Sequence, residues 1–464
     1  MTRPTAARAA ATSARVIAGV VVSAACVAGV VLAVPAAWPV VAQEPAHRSV
    51  APVAGDALLT CSGPFRALGR DAQDAGRLST AGTPGIVHGA VDGVELEERT
   101  IAIPDVDGTT EAPMFVAPPV DREPAQAAAA ESVAIAAPDV SGYAAAACRT
   151  PSMESWIVGG AAGTGSGDVI LVANPSDVTA TVTFRFFGTQ GERTTSELVI
   201  PPGSQRSVPL ASGAAGQTAP VVQATAEGAP VRVALQSSLI RTLDPAGIDV
   251  QDGVLRPDTE VSLLGVRVVL PPDGEGASTI VRLLAPSSDA TVTLQARMAD
   301  SGAAVGEPKS VSLTEGQPAE VDMSELKPGF YSIDIDASAP VVAAAWQTTG
   351  RGGGADFAWM TPAPELEGTT AFAVAKGPSP TLHLHNDGSD DAEVTLEPVG
   401  GGAPVTVQVP AGGSAVSAVD GEQVYTMTSA TPVRAAVAFS GPSQIAGYPV
   451  WPATATSPQI TVYP

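Results

Sequence analysis

The sequence predicts an all-β protein: tandem immunoglobulin-like β-sandwich modules behind one N-terminal apolar helix. Three observations predict it. A small residue, then Pro-Val and a run of Val and Ala, recurs three times, around Pro230, Pro340 and Pro432. Each copy closes a unit of alternating apolar and polar residues broken by Gly, Pro, Asn and Asp. Beyond the N-terminal region, no segment carries a long apolar stripe at the helical period.

The first 50 residues set the location. Arg3, Arg8 and Arg15 precede an uncharged run at residues 16–34, and no acid appears before Glu44. This charge order keeps a short basic tail (residues 1–15) in the cytoplasm and sends the rest across the membrane. Residues 16–42 then read either as a retained transmembrane anchor or as a signal peptide. The small side chains at Val40-Val41-Ala42 suit cleavage before Gln43, while the length of the run suits an anchor. Cys26 does not read as a lipidated cysteine, because Ser23 stands where an aliphatic residue is expected and apolar residues follow.

Residues 43–153 read as an irregular β module. Strands are expected within residues 85–103 and 111–118, and PPVDREPAQAAAAE (118–131) reads as a mobile loop or a short helix. Cys61 and Cys148 are the only cysteines beyond the apolar run, and an oxidising compartment favours their pairing. Closing a loop of roughly 90 residues stabilises by about 4–5 kcal/mol in the chain-entropy model.

The sandwiches follow at residues 154–256, 257–366 and 367–464. Their units align as DVILVANPSDVTATVTFRF (168–186), STIVRLLAPSSDATVTLQA (278–296) and PTLHLHNDGSDDAEVTLEP (380–398). Val182, Phe184 and Phe186 alternate with Thr181, Thr183 and Arg185, the period of a half-buried strand. Asn174-Pro175, Pro286-Ser287 and Asp387-Gly388 supply turns. The Pro-Val copies lie 110 and 92 residues apart, which suits sandwiches of about 100 residues, with each Pro opening a strand. Tyr331 and Tyr425 sit where sandwiches place a corner tyrosine.

The charge balance excludes one class of partner. With 47 acids against 24 bases, the net charge of −23 repels phosphate backbones, so nucleic acid is not an expected partner. Only Lys309, Lys327 and Lys376 are lysines, a bias suggesting a GC-rich genome.

The passage SGYAAAACRTPSMESWIVGG, followed by DVILVANPSDVTATV, resembles the signature of the "large secreted protein" family of high-GC Gram-positive bacteria, which is defined by a domain of unknown function. The matching positions are Gly142, Tyr143, Cys148, Pro151, Trp156, Gly159, Gly160, Asn174 and Pro175. The resemblance covers most of residues 55–460, with its distinctive motifs at 141–182. It implies a single-pass or secreted envelope protein and no activity.

Residue types that carry chemistry are sparse. His383 and His385 share one face of a strand and, with Asp387 (or Asp390 or Asp391), are the candidate metal ligands. The alternative is a polar strand entering an acidic turn. Residues 386–393 and Asp105-Val106-Asp107-Gly108 offer carboxylates for calcium without the full spacing of a calcium loop. Ser324-Glu325-Leu326-Lys327 spells Ser-x-x-Lys, but Pro328-Gly329 follows at once and the partner motifs are missing. The glycine-rich stretch at 159–168 precedes a strand, so it is a connector, not a phosphate cradle. Trp156, Trp346, Trp359, Tyr448 and Trp451 are the candidate glycan contacts, with burial in the sandwiches as the alternative. No catalytic residue and no cofactor is expected.

The expectation is a non-enzymatic extracytoplasmic envelope protein, a scaffold or binding module. It would meet cell-wall glycan or another envelope protein and touch the membrane through its N-terminal segment. The alternative is a carbohydrate-binding or accessory protein acting on cell-wall glycan.

Overall fold

The computed structural model describes residues 5–33, 48–50 and 460–462, and residues 54–452 except 71–72, 75, 92, 122, 190, 195–196, 270–278 and 351. The cleavage position near Ala42 lies outside the described residues. The chain divides into two units, residues 1–52 with 458–464, and residues 53–457. In the first, the helix Thr5–Ala33 contains a 20-residue segment, Ser13–Leu32, of mean hydropathy 2.3, long and apolar enough to cross a membrane. The strands Arg48–Val50 and Ile460–Val462 pair antiparallel.

The second unit is built from strands, with one short helix, Ala211–Ala214, among its described residues. In the first sandwich, one sheet runs Glu154–Ile157, Val221–Glu227, Ala180–Phe187, Arg193–Thr194, with Leu198–Ile200 also against Ala180–Phe187. Its inner face is Val182, Phe184 and Phe186, all buried, as their alternation predicts. The other sheet does not stop at the module. From Asp244–Asp252, Arg232–Arg241, Val169–Asn174 and Ser204–Pro209 it continues into Glu97–Ala102, Glu111–Ala117 and Ala57–Thr60. A parallel bridge, Ser204 to Ala102, joins the two parts. The N-terminal module therefore shares a sheet with the first sandwich.

Its second sheet, Gly85–Ala90, Ala127–Ala136 and Ser141–Ala147, packs elsewhere. Ala128, Ala130, Tyr143 and Ala145 belong to the same core as Phe372, Phe439 and Tyr448 of the third sandwich. Residues 127–131 correct the expected loop or helix. Alanine favours helices in isolation, but here its small side chain lets two sheets approach closely, and Ala127 to Ala130 are buried in a strand.

The second and third sandwiches share a device. A single strand, Gly329–Thr348 or Gln423–Ser440, belongs to both sheets in turn. Its first half pairs with Asp258–Val268 and Ala290–Met298, its second with Ile280–Leu284 and Phe357–Met360. The third sandwich repeats the arrangement. Pro340 and Pro432 fall at the crossover, where ladder pairing lapses and a missing N–H is tolerated. They do not open strands, as Pro230 does just before Arg232–Arg241; they mark where a strand changes sheet. The corner tyrosines form: Tyr331 Oη donates to Lys327 O at 2.8 Å, and Tyr425 Oη accepts from Asp420 N at 2.9 Å.

Candidate functional site

The signature residues converge on the joints between modules. Gly142 has φ +144°, and a Cβ there would stand 2.5 Å from Asp356 Oδ1. Only glycine lets the chain pass so close. Asp356, in the loop leading to Phe357–Met360, is fully buried. Its carboxylate accepts the amides of Tyr143 (3.0 Å), Ile248 (3.1 Å) and Ile445 (3.2 Å). One second-sandwich side chain thus ties down the N-terminal module, the first sandwich and the third. Burial pushes its pKa up to about 8 against the pull of these amides. Beside it, Tyr143 lies edge-on to Phe439 at 5.7 Å and donates to Lys376 O at 2.9 Å.

The joint between the first and second sandwiches is built around Arg282 and Trp359. Arg282 Nη1 donates to the carbonyls of Val158 (3.2 Å), Gly160 (2.8 Å) and Pro220 (3.0 Å), and its Nη2 meets Glu320 at 2.8 Å. Its guanidinium lies 4.7 Å from the Trp359 ring centroid. Trp359 N donates to Asp249 Oδ2 at 2.8 Å; burial raises the pKa of that carboxyl well above the ordinary range. A Cβ at Gly159 would come within 2.7 Å of the Trp359 ring, and one at Gly160 within 2.9 Å of Asp168 Oδ2. Asp168 accepts Ala161 N at 2.7 Å, and burial lifts its pKa to about 7. A cleft of about 210 Å³ opens here, walled by Trp346, Phe357 and Trp359 and bordered by Asp168, Ser238 and Arg282.

Cys61 and Cys148 are disulfide-bonded, with Cα atoms 4.3 Å apart. Next to them, Glu131 accepts the amides of Ser62 (2.6 Å) and Gly63 (3.1 Å). Arg232 and Asp252 form a buried pair at 2.6 Å. Asn174 Nδ2 donates to Val178 O and Ile200 O, and Asn386 repeats this with Asp390 O and Val409 O, so both asparagines cap the same turn of the repeat.

The candidate aromatic rings form no exposed row; they follow the burial reading that the sequence also offered. Trp156, Trp359 and Tyr448 are 2%, 5% and 4% exposed, and Trp451 lies half-buried beneath Arg149, 3.4 Å from its ring centroid. Trp156 Nε1 donates to Glu154, and Tyr448 Oη donates to Ala373 O and accepts from Ala375 N. Large rings remove the most apolar area from water where two modules meet, and these are used there.

The metal candidates separate. His383 and His385 both face the second sandwich and are buried. His383 packs against Phe330 at 5.1 Å and bonds Thr381, and burial lowers its pKa to about 4. His385 Nε2 instead faces Asp387 Oδ1 at 2.7 Å and Asp334 Oδ1 at 3.4 Å, the latter a residue of the second sandwich. These three form the cluster among the described residues that could hold a metal ion, and His383 is outside it. Each carboxylate is also held by an arginine, Arg297 on Asp334 and Arg434 on Asp387. Burial alone would lower the His385 pKa, but the Asp387 hydrogen bond and both carboxylate charges raise it. The 2.7 Å contact is the length of an imidazolium–carboxylate hydrogen bond, so a proton suits the space between them. The calcium candidates are engaged by protein groups: Asp105 accepts Ser207 N, Asp107 pairs with Arg77 and Asp391 accepts Ala411 N. Ser324 lies in a loop, bonded to Asp322.

Asp356, Asp249, Asp168, Arg282 and Asp334 carried no signal in the sequence. Nothing local separates them from the other acids and arginines of the chain, since their partners lie far along the sequence or in neighbouring loops: Asp356, Asp249, Arg282 and Asp334 each reach another module, and Asp168 accepts Ala161 N within its own.

The molecule is a multi-module all-β protein whose modules are joined by buried carboxylates, arginines and aromatic rings. The chain belongs to a family of unknown function (DUF5719), whose model matches residues 105–438. No curated protein matches. Among solved structures, the crystal structure of the chicken CNTN1 FN1–FN3 domains aligns at 10% identity, covering 63% of this chain and 95% of that one, with a TM-score of 0.13.

Proposed function

We propose that this is a non-enzymatic extracytoplasmic envelope protein that presents its β modules as one rigid body, serving as a scaffold or binding module. One observation carries the reading: Gly142, Tyr143, Cys148, Trp156, Gly159, Gly160 and Asn174 are each used in a joint, a disulfide or a turn, and of them Gly160 borders the cleft beside Trp359. The apolar helix and the disulfide support export, with the N-terminus in the cytoplasm and the body either anchored or released near Ala42. The signature at 141–182 and the scarcity of lysine support a place among the large secreted proteins of high-GC Gram-positive bacteria. The partner would be cell-wall glycan or another envelope protein.

One observation favours the carbohydrate-binding alternative: half-buried Trp346 walls the cleft beside Asp168. The test is to incubate oxidised residues 43–464 with purified cell wall and to assay both pelleting and solubilised sugar. Pelleting without release is the result expected of a wall-binding module. Release of sugar would overturn the non-enzymatic reading. Pelleting abolished by Trp346→Ala would assign the contact to the cleft.

A further inference from the structure

The second sandwich is hollow at one side. A cavity of about 560 Å³ opens between the edge strand Ala304–Leu313 and the loop after Ala319–Asp322, within the size range of small-molecule sites. Its interior is apolar: Leu294, Ala296 and Met298 from one sheet, Met323 and Leu326 from the loop, Val305 from the edge strand. Tyr331 closes one wall, and because its hydroxyl is committed to Lys327 O, it presents only its ring. The corresponding edge strand of the third sandwich, Val405–Val409, has 5 residues where this one has 10, so the longer hairpin is particular to the second module.

Polar groups stand only at the mouth. Lys309 Nζ donates to Asp322 O at 2.6 Å and pairs with Glu325 at 2.8 Å, linking edge strand to loop across the opening. Lys327 is exposed, on the loop side, and has no ion pair among the described residues; Glu307 lies on the strand side. In a chain of net charge −23 with only three lysines, two of them border this one cavity.

We propose that this cavity binds a long-chain carboxylate, a fatty-acid-like amphiphile, with the tail between the two sheets and the head against Lys327. An interior without a free polar group excludes a hydrophilic ligand, because each buried ligand hydroxyl or amide would lose its water partners. Two methionines line the tail site, and their flexible thioethers adapt to an alkyl chain. The Lys309–Glu325 pair cancels its own charge and leaves Lys327 as the cation that meets the carboxylate.

The test uses the full chain with its disulfide intact and a long-chain fatty acid carrying a photoreactive diazirine. After irradiation, labelled peptides are mapped by mass spectrometry. The expected result is saturable labelling around residues 294–305 and 323–326, competed by unlabelled fatty acid. Val305→Trp, which fills the cavity from its half-buried wall, should weaken labelling about tenfold, near 1.4 kcal/mol. The exposed variants Lys327→Gln and Glu307→Gln do not touch the core. The first should weaken and the second strengthen labelling by the acid, while leaving the matching fatty alcohol unchanged. Unsaturable labelling, or labelling confined to the N-terminal helix, would overturn the site. Equal labelling by acid and alcohol in every variant would overturn the head-group assignment.

Discussion

Two joints of this molecule bury aspartates in opposite ways. At Asp356, a carboxylate is sunk among backbone amides of three other modules, and the donors Tyr143 N, Ile248 N and Ile445 N are all uncharged N–H groups. Between the second and third sandwiches, Arg297, Asp334, His385, Asp387 and Arg434 alternate in sign, each carboxylate held between a guanidinium and the imidazole. The first joint is a geometric clamp that works at the cost of desolvating a carboxyl; the second is a charge chain whose strength depends on one proton. Position in the body explains the difference. Asp356 is fully buried and receives several chain segments at once, whereas Asp387 keeps 44% of its side chain exposed, where water screens the pair.

Removing the clamp should have the largest effect. Asp356→Ala leaves buried amides of three modules without an acceptor and should destabilise the body by roughly 3–5 kcal/mol in urea unfolding. A loss below about 1 kcal/mol would mean that water replaces the carboxylate and that the clamp is incidental. Gly142→Ala attacks the same joint from the other side. Its Cβ would stand 2.5 Å from Asp356 Oδ1 and 2.7 Å from Ile248 N at a φ of +144°, and a loss of about 2–4 kcal/mol is expected. An unchanged unfolding midpoint would show that the segment can shift.

The pH dependence separates the joints more finely. Asp356 and Asp168 hold pKa values of about 8 and about 7 in the folded protein, above the ordinary 3.8. The native state therefore binds more protons than the unfolded one between these limits, and stability falls as pH rises from about 4 to about 8. His385, also raised, adds stability that is complete below its ordinary 6.5 and is lost as pH climbs through its folded value. Asp387, lowered to about 2, works in the other direction: its contribution is present above 3.8 and is lost as pH falls towards 2. The melting temperature should accordingly be several degrees higher at pH 5 than at pH 8 and should decline again below pH 3. A flat profile from pH 5 to pH 8 would contradict the buried-acid account of the clamp. The smallest effect is that of Asp387→Asn, about 1 kcal/mol at pH 5 because the pair is partly screened, and smaller once pH has risen through the raised pKa of His385, where only the Arg434 contact remains. Equal losses below and above that pKa would show that Arg434, not the imidazolium, dominates this joint.

Much of the architecture was legible. The three Pro-Val copies, the alternation at Val182–Phe184–Phe186 and the turn asparagines are local patterns with local causes, and they marked the repeat correctly as sheet. Cys61 and Cys148 were the only candidates for an exported disulfide. The alanines at 127–130 were misread because their local preference is helical and only the third sandwich, more than 200 residues later, makes a strand the better packing. The tryptophans were ambiguous for a related reason: a ring that suits a sugar also suits a joint, and the choice depends on what another module brings to it. His385 was recognised as half of a polar cluster, but its second carboxylate partner, Asp334, lies in the preceding module.

What the sequence by itself determined was every feature whose cause lies within a strand or a turn: the all-β repeat, the corner tyrosines, the apolar helix and the pairing of two cysteines. What only the tertiary structure decided was how modules meet. The sheet shared across Ser204 and Ala102, the clamp at Asp356, the charge chain at His385 and the cavity behind Val305 all depend on residues far apart in the chain. Such contacts leave no periodic trace in either partner, because burial and hydrogen bonding at a joint are properties of two surfaces and not of one segment.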